Sequence, residues 1–251
     1  MRDFEELVAE AVAADVTGWG FDWLEGRASE QRPPWKFTSL LSQRLGQVSS
    51  ALDLDTGGGE VLSEAKAFPL LMVASEGWAP NAERARKVLE PRGVQVLEFD
   101  TATHHWPVPE RRFELVSSRH PVAPNWEQIH RVLRPGGSYL GQHVGPASAF
   151  ELIEFFLGPL PAQRQLRDPE DEQREAQDAG LTIVDLRTAR LRMEFFDVSA
   201  VVWILRKCVW WVPDFTVEKY WDKLLELDAL MRGGQPFVAH SSRHLIEARR
   251  S

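Results

Sequence analysis

The stretch Leu52-Asp53-Leu54-Asp55-Thr56-Gly57-Gly58-Gly59-Glu60 joins an apolar run to three glycines and then to a helical pattern. This order predicts a strand, a tight loop and a helix. Glycine lets the backbone approach a ligand closely, and the free amides at a helix start attract anions. The stretch is therefore a first indication of a nucleotide site.

Two common nucleotide motifs do not fit this loop. A dinucleotide fingerprint has glycine at its first, third and sixth positions, but counting from Gly57 the sixth residue is Leu62. The lysine of a Walker motif is also absent. A nicotinamide-dependent oxidoreductase is therefore a distant alternative.

Outward from the loop, short apolar runs alternate with helical patterns. Strands are predicted at residues 51–54, 70–74, 94–99, 113–117 and 138–144, and helices at 60–67, 81–92 and 125–133. Strands separated by helices imply parallel crossovers. The pattern predicts an α/β fold, a doubly wound and mostly parallel sheet with helices on both faces.

Both ends of the chain break this alternation. Residues 1–50 have helical spacing and form a predicted N-terminal helical lid, so that the main domain spans 51–251. Its last part is predicted as helices near 147–157 and 169–179, a strand at 181–196, helices at 198–207 and 217–232 and a strand at 237–248. We expect 197–234 to be a helical insertion that caps the site, and the charged run 167–175 to be a solvated helix face.

Composition excludes several classes of protein. The 251 residues carry a net charge of −8, which disfavours nucleic-acid binding through a basic face. Cys208 is the sole cysteine, so we expect no internal disulfide and no metal site of the thiolate-rich kind. Acidic residues before Asp15 argue against a signal peptide, and Arg206 and Lys207 interrupt the most apolar stretch. We expect a cytoplasmic protein without a membrane span.

Acidic residues follow the second and third predicted strands. Glu76 stands nineteen residues beyond Gly57, where a carboxylate can accept both hydroxyls of a ribose, although it could instead interact with the dipole of the next helix. Trp78 could lie against an adenine or simply pack. Asp100, after the third strand, is placed to accept the exocyclic amine of adenine.

With the turn Arg134-Pro135-Gly136-Gly137 before the fifth strand, these features resemble the class I S-adenosylmethionine-dependent methyltransferases over about residues 51–144. The resemblance implies a Rossmann-like sheet of seven strands with an antiparallel last strand, and S-adenosylmethionine as cofactor. The cofactor-binding residues it implies are Asp55, Thr56, Gly57, Gly58, Gly59, Glu76, Gly77, Trp78, Asp100, Thr101, Ser118 and Arg119.

Asp55 departs from the family pattern, which has glycine at this position. Aspartate adopts left-handed conformations more readily than most residues, but its charge needs a partner. The sulfonium or the amino group of the cofactor would supply one.

Methyl transfer is an in-line displacement, so the enzyme supplies alignment and, for a protonated acceptor, a base. The candidates are His120 after the fourth strand and His143 late in the fifth. Either histidine could instead be hydrogen-bonded in the wall. Seven tryptophans lie in the two added segments. They could cover the bound methyl acceptor or simply pack the added helices against their neighbours: Trp19, Trp23, Trp35, Trp203, Trp210, Trp211 and Trp221.

The function expected from these features is methylation of a small molecule. The alternatives are an RNA methyltransferase, which the net charge disfavours, and a non-catalytic cofactor-binding or interaction protein. The acceptor itself has no motif in the sequence.

Overall fold

The computed structural model describes residues 2–18 and 20–251. Its α-helices are α1 Phe4–Ala13, α2 Phe37–Leu45, α3 Glu60–Ser63, α4 Ala79–Leu89, α5 Trp126–Val132, α6 Phe150–Leu157, α7 Pro169–Asp178, α8 Val198–Lys207 and α9 Trp221–Met231. Its strands are β1 Ala28–Glu30, β2 Ser50–Leu54, β3 Leu71–Glu76, β4 Val94–Glu98, β5 Phe113–Arg119, β6 Leu133–Val144, β7 Leu181–Phe195 and β8 Phe237–Arg250. Short 3-10 turns lie at Asp22–Leu24, Glu90–Arg92 and Gln163–Gln165.

The strands form one sheet in the order β1-β7-β8-β6-β5-β2-β3-β4. Strands β2 to β6 pair in parallel, whereas the last strand, β8, runs antiparallel to β6. The predicted doubly wound fold is confirmed. Within the described residues the sheet has eight strands rather than seven, because Ala28–Glu30, in the segment predicted as helical, pairs antiparallel with β7.

Residues that alternate along the central strands bury opposite faces of the sheet. Ala51 and Met72 join a core with Leu41, Leu45 and Leu89 of α2 and α4. Their neighbours Leu52 and Val73 join a second core with Trp126, Ile129 and Ala176 of α5 and α7. This period of two explains why apolar residues lie on both faces of these strands, since both faces are covered.

The chain divides into two compact units. One comprises Met1–Arg32, Pro146–Leu166 and Arg190–Ser242, and the other comprises Pro33–Gly145, Arg167–Ala189 and Arg243–Ser251. The second unit holds the glycine loop and every predicted cofactor-binding residue. We call it the sheet unit.

The predicted turn at Arg134–Gly137 was wrong as a separate element, because these residues lie within β6. Phe113 pairs with Leu133 but Leu115 pairs with Ser138, so the extra residues form a bulge. A Cβ at Gly137 would lie 2.9 Å from the carbonyl oxygen of Arg134, so no side chain fits there. Among the described residues, no helix is both long enough and apolar enough to cross a membrane.

Candidate functional site

The glycine loop leaves β2 through residues in the left-handed region. Asp55 has φ 52°, Gly57 φ 65° and Gly59 φ 86°. Gly59 is the N-cap of α3, and a Cβ added there would lie 3.0 Å from the side chain of Leu89. The loop therefore depends on glycine for its conformation and, at Gly59, also for its packing. Asp55 adopts the left-handed conformation that its position requires.

Glu76 fastens this loop to the end of the neighbouring strand β3. Its Oε2 accepts the N–H of Gly57 at 2.8 Å, and its Oε1 accepts the N–H of Trp78 at 2.9 Å. The residue is 9% exposed. A carboxylate can accept about four hydrogen bonds, so two remain for a ligand such as a ribose. Because Trp78 is the N-cap of α4, the alternative role of Glu76 at the start of the next helix is also present in this structure.

Asp55 lies half-buried among other acids. The hydroxyl of Thr101 donates to its two oxygens at 2.9 and 3.0 Å. Burial and the charges of Glu76 and Asp100 raise the pKa of Asp55 to about 6. No Lys, Arg or His of the described part of the chain pairs with this carboxylate. The loop thus holds a negative charge for which the protein supplies only a hydroxyl partner.

Asp53, two residues earlier in β2, is a fully buried acid. Its Oδ1 accepts the hydroxyl of Ser117 at 2.5 Å, and burial raises its pKa to about 6. The sequence places this acid in a predicted strand, but a single sequence does not reveal that its carboxylate is buried. Together with Asp55, Glu76 and Asp100 it makes this edge of the sheet electronegative.

The loop after β3 packs closely against the loop after β4. A Cβ at Gly77 would lie 3.3 Å from the Cα of Asp100, which explains why glycine stands there. Asp100 is exposed, and its Oδ1 accepts the N–H of Ala102 at 2.9 Å. Trp78 is 54% exposed, so it is not part of a core and remains available to a ligand.

Two further predicted residues end β5, beside the loop. Ser118 is buried and pairs in register with Leu54, the last residue of β2. Arg119 is exposed and pairs with Gln142 of β6. The sheet register therefore brings the ends of β2, β3 and β5 to one edge, as the sequence predicted.

His120 follows directly, with φ 59°, and its backbone N–H donates to the carbonyl of Gln142 at 2.7 Å. The Oε1 of Gln142 accepts the indole N–H of Trp35 at 2.7 Å, and its amide nitrogen lies 3.1 Å from Nε2 of His120. An indole N–H can only donate, so the amide orientation is fixed. Nε2 of His120 must then be the acceptor, and the ring proton is on Nδ1.

Burial and the charge of Arg119, with that of Arg243, hold the pKa of His120 well below its usual range. The ring is therefore neutral at physiological pH. It presents a fixed Nδ1–H donor, and its basic nitrogen is engaged by Gln142. His120 is therefore better suited to orient a bound molecule through this donor than to remove a proton from it.

His143, the other predicted catalytic histidine, is 1% exposed. Its Nδ1 lies 2.5 Å from Oε2 of Glu172, and its Nε2 lies 2.7 Å from the hydroxyl of Tyr139. Both ring nitrogens thus have protein partners. Glu172 belongs to the charged run predicted as a solvated helix face, but its side chain points inward and is 12% exposed.

The tryptophans have separate environments. Trp35 holds Gln142 in the sheet unit. Trp23 and Trp203 stack at 5.6 Å between ring centroids in the core of the other unit, which is plain packing. Trp210 is 57% exposed. Trp19 lies outside the described residues, and the lid role of the two added segments stays a prediction.

The fold is that of the class I methyltransferases. Similar solved structures include a protein of Bacillus halodurans assigned as a methyltransferase, with TM-score 0.61 and 19% identity over 85% of this chain and 98% of the other. A geranyl diphosphate methyltransferase in complex with S-adenosylmethionine has TM-score 0.53 and 15% identity, with 85% and 84% covered.

The 4+2 cyclase SpnF is similar to the same extent, with TM-score 0.55 and 16% identity over 98% of this chain and 92% of the other. No protein-family model matches the chain, and no curated protein matches it in sequence. At these identities the comparisons establish the fold, and function rests on the site.

Proposed function

We propose that the protein is an S-adenosylmethionine-dependent methyltransferase that acts on a small molecule. The observation that carries this proposal is the half-buried carboxylate of Asp55, which lies in the glycine loop with no cationic partner in the described part of the chain. S-adenosylmethionine carries both an ammonium and a sulfonium. A partly desolvated carboxylate without a cation favours a cationic ligand.

The residues present fit this cofactor. Glu76 keeps lone pairs for ribose hydroxyls, Trp78 exposes an aromatic face for a base, and Asp100 is accessible for an amine. The left-handed loop at Gly57 and Gly59 gives the backbone room to approach a ligand. When bound, the cofactor supplies an electrophilic methyl group. The protein's own contribution is to hold and align the two reactants.

His120 would orient the methyl acceptor. Its neutral ring offers the Nδ1–H to an oxygen of that molecule, and Gln142 and Trp35 keep this donor in one tautomer. We assign no general base, because Nε2 already accepts a hydrogen bond. An acceptor that needs no deprotonation, such as an amine or an anion formed in solution, suits this site best.

The net charge of −8 supports a small molecule over RNA, since phosphate binding requires cationic surface. A second candidate is a non-methylating protein of the same fold, which the likeness to the cyclase SpnF keeps open. The expected lid at 1–50 and 197–234 would choose the acceptor in either case, and slower hydrogen exchange there with ligand bound would support it.

Isothermal titration of the purified chain with S-adenosylmethionine, its demethylated product and NADH tests the proposal. We expect micromolar binding of the first two and none of NADH. Glu76→Gln should weaken binding of S-adenosylmethionine at least about tenfold. Glu83→Gln is its control, because Glu83 is an exposed acid on α4. Absence of binding to either sulfur compound would refute the cofactor assignment. Binding without methyl release across an acceptor panel would favour the second candidate.

A further inference from the structure

Two histidines face each other in the sheet unit, away from the glycine loop in sequence. His143 of β6 pairs directly with His244 of β8, and both side chains are at most 2% exposed. Opposed residues on antiparallel strands share one face, with Cβ atoms about 5 Å apart. Glu172 of α7 covers that face. The three residues form a polar cluster next to the apolar core of Trp126, Tyr139 and Ile246.

The potential ligand atoms of the cluster converge. Oε2 of Glu172 lies 2.5 Å from Nδ1 of His143 and 2.9 Å from Nε2 of His244, and all three atoms lie within 4.8 Å of one another. Ligand atoms of a tetrahedral ion with bonds of about 2.0 Å are about 3.3 Å apart. The two histidine–carboxylate separations need lengthen by less than about 1 Å to reach that geometry.

The surroundings match those of a metal ligand. The hydroxyl of Tyr139 lies 2.7 Å from the remaining nitrogen of His143, and metal-binding histidines usually hold their second nitrogen in this way. A hydroxyl can donate or accept, so it serves either tautomer of the ring.

We propose that His143, Glu172 and His244 bind one divalent first-row transition-metal ion. Two imidazoles and a carboxylate suit zinc, iron or cobalt and disfavour magnesium and calcium, which prefer oxygen alone. Because the ligands are buried, the ion would be structural. It would tie α7 to β6 and β8, and it would enter as the chain folds. The sequence predicted no metal site because a single cysteine cannot form a thiolate-rich one. The three ligands proposed here are not cysteines, and they come from segments that are distant in the sequence.

Zinc alone is the probe. The tag-free full-length chain is refolded with and without zinc, dialysed against weak chelator and analysed for metal content and thermal unfolding. We use a His104→Ala/His105→Ala background, since these exposed neighbours could bind zinc adventitiously. We expect one zinc per chain and a higher Tm in its presence. Glu172→Gln, which keeps size and hydrogen bonding, should weaken zinc binding at least about a hundredfold.

Glu175→Gln is the matched control, because it removes the same charge from an exposed position of α7. It should bind zinc as the wild type does. Should Glu172→Gln fail to fold, X-ray absorption of the zinc-loaded wild type decides, with nitrogen and oxygen neighbours and no sulfur expected. Three results would overturn the proposal: no zinc retained by the wild type, equal affinity in Glu172→Gln, or sulfur from Cys208 in the coordination shell. The first would identify a hydrogen-bonded network only.

Discussion

The carboxylate of Glu76 binds the N–H of Gly57 at 2.8 Å across a separation of nineteen residues. Its other oxygen holds Trp78, so one side chain closes both loops at the ends of β2 and β3. The residue expected to hold a ribose therefore also shapes the site before any ligand arrives. If Glu76 binds the ribose, ligand binding and stability are coupled at this position.

Replacement of Glu76 by Ala should thus do more than weaken the ligand. Hydrogen bonds to a charged acceptor contribute about 1.5–3 kcal/mol each, and water replaces part of that. We expect the free energy of unfolding to fall by about 2 kcal/mol in urea titrations without ligand. Glu98→Ala, which breaks the exposed ion pair with Arg86, should cost under about 1 kcal/mol. Equal losses would mean that the two loop contacts contribute little.

Asp55→Asn should stabilise the protein at neutral pH. The folded pKa of about 6 lies above the usual 3.8, so the proton on Asp55 stabilises the fold below about pH 4 and this contribution is lost as the pH rises through 6. Two pKa units correspond to about 3 kcal/mol. Asparagine tolerates the left-handed backbone. We expect the variant to be up to about 3 kcal/mol more stable at pH 7.5, with the difference vanishing near pH 4.

Asp55→Asn also shows which of the two cationic groups of the cofactor pairs with Asp55. If Asp55 pairs with the sulfonium, Asp55→Asn should lose at least about tenfold affinity for S-adenosylmethionine and little for the neutral-sulfur product. If it pairs with the amino group, both ligands should weaken equally. In either case wild-type affinity should fall as Asp55 is protonated below pH 6. Unchanged affinity for both ligands would remove Asp55 from the site.

Gly59→Ala tests how far the loop depends on glycine. Gly59 and Gly93 have nearly the same φ, 86° and 83°, but only Gly59 has Leu89 at 3.0 Å from an added Cβ. Gly93→Ala should therefore cost about 1 kcal/mol of backbone strain alone. We expect Gly59→Ala to lower the free energy of unfolding by at least about 1 kcal/mol more than Gly93→Ala does. Gly57→Val should abolish cofactor binding, while circular dichroism shows that the variant is folded. Equal costs for the two alanine variants would show that Leu89 moves aside easily.

The sequence predicted the sheet because both faces are covered. A strand such as β2, which has apolar residues on both faces, can be recognised from its composition. The glycines between β2 and α3 indicate the position of the loop. Strand β1 was missed because three residues at a sheet edge, Ala28–Glu30, have no apolar alternation of their own. Their strand conformation comes from pairing with β7, which no local pattern can show.

The grouping of these side chains at one edge of the sheet could be predicted, because they follow consecutive strands. His120 and Glu76 were assigned to that edge in this way, and their roles stay predictions. The long-range partners were not predicted: Gln142 meets Trp35 across 107 residues, and His143 meets His244 through the sheet register. Glu172 resembles its exposed neighbours in the charged run, and only packing of α7 turns it inward. Side-chain contacts of this kind depend on tertiary structure.

The tautomer of His120 can be reversed through its partner. In Gln142→Glu the carboxylate still accepts the indole N–H of Trp35 but now presents an oxygen to Nε2 of His120, which must then carry a proton. The added negative charge also favours the imidazolium, so the pKa of His120 should rise by at least about one unit. Nitrogen chemical shifts of the ring, followed against pH, measure both effects.

Trp35→Phe is the companion variant, because it removes the donor that fixes the amide without adding charge. Gln142 can then rotate, and we expect a mixture of His120 tautomers with the pKa little changed. If His120 orients the acceptor through Nδ1–H, both variants should raise the KM for the acceptor while leaving cofactor affinity intact. The ring of His120 could instead keep its proton on Nδ1 in Gln142→Glu, with an unshifted pKa. That result would show that the hydrogen bonds from Trp35 through Gln142 do not set the tautomer of His120.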